Sequence, residues 1–410
     1  MSTAADEMTE EGHGVQQGKE RALTDSSDPS AWFALMRREH PVVREEQFGM
    51  WQVFRYEDVA KGLSDPATFS SDARGQMAAL PDFHPFTQGN FMMMDPPAHR
   101  RVRSLVSSAF TPRAVAQLAP RITAVAKELL DALDGAEEFD FIAAFAHPIP
   151  VIVLADLLGL PREDSRHLLT WAKVLTGVDV EAAPPGAAGA QAPPDPMASL
   201  REMNGYLREH IARRRAVPAD DLLGRLVGAE QDGERLTDDE IVGVASLLLI
   251  AGHLMVTMLL ANLMLCLDEH PRSLAGLRAD DMAVSSTIEE VLRYRNPADR
   301  QLRYTTREVE IAGQTIPAGE RVLFWTGSAN RDEARFEQPE KFDIHRRPNP
   351  HMGFGHGVHF CLGAPLGRLE ATIALRLVLD RFADFKVADG VEYFGSYSLI
   401  KKLPMKVRWC

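Results

Sequence analysis

The stretch Ile241 to Leu267 constrains this chain more than any other feature. An apolar run of that length has two physical homes, the hydrocarbon layer of a bilayer or the middle of a large folded core. His253 and Asn262 interrupt the run, and it lies in mid-chain without a partner span. Just ahead of it, Thr237-Asp-Asp-Glu240 has the spacing of a capping box, in which each end residue bonds the other's backbone N–H and fixes a helix start. The run therefore reads as the buried central helix, over 237–267, of a soluble protein with no membrane association.

Such a helix needs a large surround, and 410 residues supply one, enough to bury about three quarters of the surface of the unfolded chain. The 45% hydrophobic and 25% charged fractions are those of a globular protein. A net charge of −13 argues against a broad nucleic-acid or anionic-membrane surface, so no nucleic-acid partner is expected. Cys266, Cys361 and Cys410 are too few and too scattered for a disulfide framework or a tetrathiolate metal site, which fits a reducing compartment. The first residues, MSTAADEMTEEGHG, lack a basic segment followed by an apolar one, so a cytoplasmic location is expected, with residues 1–25 as a flexible tail ahead of a single domain over 26–410.

Helical periodicity or long apolar faces mark 115–134, 199–215, 237–267, 285–295 and 363–382. Strand-like pieces are short: 50–54, 308–312, 315–317, 321–325 and 403–409. The fold class is thus mainly α with small β-sheets. No glycine-rich loop follows a strand, so a nucleotide-binding αβα layout has no support. The Ala-, Pro- and Gly-rich patch 181–196 reads as a mobile surface loop, either a plain connector or a lid.

Chemistry concentrates at Phe354-Gly-His-Gly-Val-His-Phe-Cys361-Leu-Gly363, directly before a strong helix pattern. Glycines permit a tight backbone ahead of the cysteine, and a helix N-terminus favours a thiolate. A lone thiolate in such a loop has two uses, as a nucleophile, with His356 or His359 as candidate base, or as the axial ligand of a large metal cofactor.

The pattern F-G-x-G-x-H-x-C-x-G, matched from Phe354 to Gly363 without a gap, resembles that of the cytochrome P450 family, soluble bacterial type. The resemblance extends from about residue 28 to 410 and implies the cytochrome P450 fold. It implies that Cys361 is the axial thiolate on the iron of haem b, that His359 meets a haem propionate, that Phe354 packs beside the thiolate, and that Gly363 lets the next helix approach the porphyrin. Glu290-Val-Leu-Arg293 resembles the family's ExxR pair, with Arg346 as the third, structural member. The Asp95–Arg103 stretch resembles the segment in which His99 and Arg103, together with Arg303, would meet the propionates. Four or five donors around two buried carboxylates make chemical sense, because charge-assisted bonds offset desolvation.

On the central helix the chain departs from the family. Ala251-Gly252-His-Leu254-Met255 stands where relatives usually read Ala-Gly-x-Glu/Asp-Thr, so the acid and the alcohol beside bound dioxygen are missing at the expected oxygen site. Thr257 is turned about 200° from Met255 around the helix and cannot substitute. The resemblance places substrate contacts at Phe91, Met92, Leu248, Ala298, Asp299, Arg300, Leu399 and Ile400, a set suited to a bulky, mainly apolar organic molecule such as a polyketide or macrolide. The implied activity is monooxygenation, hydroxylating or epoxidising a secondary metabolite with dioxygen. The protein is expected to be a monomer receiving electrons from a ferredoxin and its NAD(P)H-dependent reductase, with Arg101, Arg103, Arg113 and Arg368 as candidate docking cations. Two alternatives stay open: a P450-fold enzyme of altered oxidant chemistry (peroxide-driven, coupling or desaturating), and a non-catalytic haem- or carrier-protein-binding protein.

Overall fold

The central helix runs from Asp238 to Glu269. Its capping box forms, with Thr237 N donating to Glu240 Oε2 at 2.8 Å and Glu240 N to Thr237 Oγ1 at 3.2 Å. By length and mean hydropathy (2.2) this helix would pass for a membrane span, yet 67% of its apolar window is buried inside the protein. The computed structural model describes residues 28–46, 48–77, 81–176, 195–231, 233–280, 282–394 and 396–410. The tail 1–25 and nearly all of the patch 181–196 lie outside the described residues.

Two compact units emerge. The first comprises the described part of Met1–Phe69 with Ala261–Cys361 and Phe385–Lys406, and the second comprises Ser70–Leu260, Leu362–Asp384 and Val407–Cys410. In the first unit, strand Val42–Glu45 pairs antiparallel with Met50–Val53, which lies parallel to Arg321–Phe324, which in turn pairs antiparallel with Gln301–Thr305. Val53, Phe69, Val322 and Phe324 are buried along this sheet, clustered with Ile316 and with Val59 and Leu63 of the helix Tyr56–Ser64. Beside them Trp32, Phe33, Phe54 and Trp325 form an aromatic cluster with Trp325 edge-on to Trp32 at 5.4 Å. Edge-to-face rings add to simple burial, so this cluster pins the N-terminal helix Ser30–Glu39.

The second unit is helical, with Ala98–Ser107, Ala119–Asp131, Pro148–Leu158, Pro196–Ala216 and Ala364–Arg381 as its main members. The helix expected over 115–134 is two, Pro112–Ala116 and Ala119–Asp131, because Pro120 has no N–H to give and is at home only in a first turn. Pro148–Leu158 has no sequence periodicity, being apolar on nearly all faces, and so reads as a helix only in the structure. Gly159 ends it at φ 72°, where a Cβ would also lie 2.0 Å from Asp221 Oδ2.

Candidate functional site

In the first unit the cysteine loop is a folded object. Met352 O accepts from Gly355 N at 2.9 Å, and Phe354 O accepts from Cys361 N at 2.8 Å, which closes the loop. Gly355 and Gly357 take φ 74° and 70°, a left-handed region that costs an L side chain strain. At Gly357 there is a second reason, since a Cβ there would lie 2.3 Å from Leu63 O. Gly357–His359 forms one short 3-10 turn, and Cys361 is only partly buried. The loop thus presents a thiol rather than sealing it in.

Arg303 sits on strand Gln301–Thr305, 8% exposed, with Nη2 donating to Gln301 Oε1 at 3.0 Å. Gln301 and Arg303 share one face of that strand, and Gln301 Nε2 lies 2.9 Å from where a Cβ on Gly355 would stand. Gln301 therefore bonds the guanidinium and lies against Gly355 of the cysteine loop. Sequence reading passed over it, although the two-residue spacing from Arg303 is the signal that finds it.

Glu290, Arg293 and Arg346 come together. Glu290 accepts from Arg293 Nη2 and Nε at 2.8 and 2.9 Å, from Arg346 Nε at 3.2 Å, from Asp343 N at 2.8 Å and from Asn349 Nδ2 at 3.2 Å. The spare Arg293 protons go to the carbonyls of Asn330, Pro339 and Lys341. Both side chains of the pair have 0% exposure, so the Glu290 carboxylate and the Arg293 guanidinium are held against protein partners rather than water.

Asp299 is buried, accepts from Ser396 Oγ at 3.0 Å and lies 3.5 Å from Arg300 Nε, while Arg300 stacks over Trp325 at 5.3 Å. Burial pushes the Asp299 carboxyl up, against the opposing pull of Arg300 and the Ser396 hydroxyl. Ala298 O accepts from Thr326 Oγ1 at 2.6 Å. Ile400 opens the strand Ile400–Lys402 and is fully buried, and Leu399 N donates to Ser396 O at 3.0 Å. The residues 298–300 and 396–400 are thereby held as one polar-edged patch.

In the second unit, Phe91 lies in the short turn Phe91–Met93 with its ring 6.2 Å from that of His99 and 5.9 Å from the Arg103 guanidinium, both on helix Ala98–Ser107. His99 is 2% exposed, and burial, reinforced by Arg103, pushes its imidazole below the ordinary value, so it stays neutral at pH 7. Met92 is 54% exposed. Arg101 is ion-paired to Glu240 and approaches Glu234 at 4.0 Å. Gly363 is the N-cap of Ala364–Arg381.

Between Ile241 and Leu267 every residue is buried except Ile250, Ala251, Gly252, Leu254 and Met255. That interval of residual exposure coincides with the positions singled out as the oxygen site. Leu248, one turn earlier, is 9% exposed. Gly252 lets Leu154 approach, as a Cβ there would stand 3.0 Å from Leu154 Cδ1. Thr257 is 1% exposed and donates to His253 O at 3.0 Å, so its hydroxyl is bonded back into its own helix. His253 is fully buried with its ring 4.2 Å from that of His147, on the side of the N-terminus of Pro148–Leu158. Nothing in the sequence foretold that histidine pair, because more than a hundred residues separate its members.

The family model of cytochrome P450 matches residues 201–393. The chain is 45% identical to the cyclomarin C epoxidase CymV of Salinispora arenicola over 89% of this chain and 92% of that protein. It is 42% identical to the erythromycin C-12 hydroxylase of Saccharopolyspora erythraea, over 89% and 90% of the two chains. The solved ligand-free structure of cytochrome P450 TbtJ1 superposes with a TM-score of 0.83 at 45% identity, covering 94% of this chain and 99% of that one. With a glycine-shaped cysteine loop in one unit and a half-open stretch of the long helix in the other, the chain belongs to the cytochrome P450 family and is a P450 monooxygenase.

Proposed function

We propose that the protein hydroxylates or epoxidises a bulky, mainly apolar secondary metabolite of the polyketide or macrolide kind, with haem b held by Cys361. The observation that carries this reading is the Phe354–Cys361 loop: two positive-φ glycines, a closing bond from Cys361 N, and a thiol left partly accessible. The residues fit the group, since a single thiol, a largely buried guanidinium at Arg303 and a neutral His99 beside Arg103 suit a metal and two carboxylates. When bound, the thiolate-ligated haem supplies dioxygen activation and oxygen-atom transfer.

The chain's own residues bind and orient. Cys361 provides the thiolate, while His99, Arg103, Arg303 and His359 donate to the propionates, Phe354 packs beside the sulfur and Gly363 starts the following helix. Ala251 stands beside the reaction site on the long helix, Gly252 lets Leu154 pack against it, and Leu254 and Met255 keep the stretch apolar, because neither side chain can donate a proton. A substrate hydroxyl, carbonyl or amine with ordered water then carries protons to the reaction site. Phe91, Met92, Leu248, Ala298, Leu399 and Ile400 supply apolar contact, with Asp299 and Arg300 as the polar edge. Glu290, Arg293 and Arg346 hold the fold. Residues 26–410 serve as a single catalytic domain, as a cytoplasmic monomer that takes electrons from a ferredoxin and its NAD(P)H-dependent reductase. The curated relatives, an epoxidase and a hydroxylase acting on natural products, support this reading. Leu254 and Met255 favour one second reading, peroxide-driven oxidation on the same site.

Cys361→Ser is expected to abolish the reduced carbon monoxide band at about 450 nm that marks thiolate-ligated haem. Cys266→Ala keeps it, because Cys266 is fully buried and its thiol is pushed up to about 12 by that burial. A band retained in Cys361→Ser overturns the assignment. Product analysis with surrogate ferredoxin, and separately with peroxide, distinguishes the two oxidant readings.

A further inference from the structure

The first turns of the long helix carry a contact that none of the roles above uses. Gly89, at the end of the helix His84–Gly89, meets Gly243 backbone to backbone. A Cβ on Gly89 would lie 2.0 Å from Glu240 O and 2.5 Å from Val244 N, and one on Gly243 would lie 2.4 Å from Pro85 O and 2.5 Å from Gly89 N. Neither glycine has a positive φ, so neither is there for backbone freedom. Glycine inside a helix is disfavoured against alanine, and the close crossing is what this pair gives in return.

The same turn holds the segment a second time. Glu240, three residues before Gly243, is ion-paired through Oε1 to Arg101, while its Oε2 completes the capping box. Between these two attachments the backbone is stiffened locally. Asn90 is 2% exposed, its Oδ1 accepts from Met92 N at 3.1 Å, and its O accepts from Met93 N at 3.0 Å. Phe91 stands inside that turn, facing His99 and Arg103.

We propose that Gly89, Gly243 and the Arg101–Glu240 pair are positioning residues that fix where Phe91 stands relative to His99 and Arg103, and through it which substrates the enzyme accepts. A methyl group at either glycine forces the two backbones about 1 Å apart before ordinary contact is restored. The displacement falls on Phe91, because the Asn90 bonds couple that residue to the crossing. The inference rests on the reading of Phe91 as a substrate contact.

The test uses the haem-loaded full chain and two probes, imidazole and the bulky triaryl imidazole clotrimazole, followed by their shifts of the haem absorption band. Gly243→Ala is expected to weaken clotrimazole roughly tenfold and imidazole less than about twofold, since only the larger probe reaches the wall that moves. Hydrogen exchange over residues 84–94 rises in the same variant. Where Gly243→Ala yields no holoprotein, Glu240→Gln gives the same selective loss in milder form. No shift for either probe, equal shifts for both, or unchanged exchange over 84–94 overturns the proposal. Absence of a thiolate-type band in the parent protein would instead sink the haem reading and is seen before any variant is made.

Discussion

Replacing Glu290 by alanine isolates the ion cluster from the chemistry. The carboxylate accepts from Arg293 through two nitrogens and from Arg346, Asp343 N and Asn349. Its loss leaves the Arg293 guanidinium at 0% exposure facing only carbonyl oxygens, and it orphans the Asp343 N–H. Removing one partner of a buried pair costs about 3–5 kcal/mol, against about 5–15 kcal/mol for the stability of a whole domain. At roughly 2–4 °C per kcal/mol for units of this size, the unfolding midpoint falls by at least about 5 °C. The assay is thermal unfolding by circular dichroism at a fixed scan rate, with haem content read from the absorption band of the purified protein. Glu290→Met combined with Arg293→Met recovers part of the loss, because the buried charge goes with its partner. A Glu290→Ala protein with an unshifted midpoint and full haem content, impaired only in turnover, would refute the reasoning and make Glu290 a group acting in the reaction.

Other expectations follow from single positions. Glu370 is fully buried, its Oε1 lacks a hydrogen-bond partner, and burial pushes its carboxyl up to about 8, so the folded protein keeps a proton that the unfolded chain releases above about pH 4.5. Stability therefore falls as pH rises between those values, by on the order of a few kcal/mol. The advantage of Glu370→Gln in urea midpoint grows from pH 5 to 8 and then levels off, and parallel profiles for the two proteins would rule the account out. Gly357→Ala combines a strained φ with a clash on Leu63 O and is expected to cost about 1–3 kcal/mol and most of the haem content, measured as the ratio of haem to protein absorbance. Met255→Thr is expected to raise product formed per NAD(P)H consumed for substrate analogues lacking the hydroxyl nearest the reaction site and to change the true substrate much less. High coupling of parent enzyme with both ligands speaks against delivery of protons by the substrate.

Local sequence carried the parts of this protein whose physics is local. The Thr237–Glu240 box, the Glu290/Arg293 spacing on one helix turn and the glycines ahead of Cys361 depend on neighbours within a few residues, and the strands at 50–53, 309–311, 314–316, 321–324 and 404–409 show in their local composition. The apolar run at 241–267 foretold a buried helix because apolar residues on nearly every face can be satisfied only by enclosure. Only the tertiary structure decided which stretch of that helix keeps some exposure, since Ala251, Leu254 and Met255 are as apolar as the residues around them. It alone showed that Arg101 pairs with Glu240, that Gln301 bonds Arg303 and lies against Gly355, and that Gly89 and Gly243 cross. The burial of Glu370 becomes visible only when its helix is packed. The division has one physical cause. Backbone propensity and i,i+3 or i,i+4 pairing are written within a turn of chain, whereas burial and close approach are set by which distant segments share a surface.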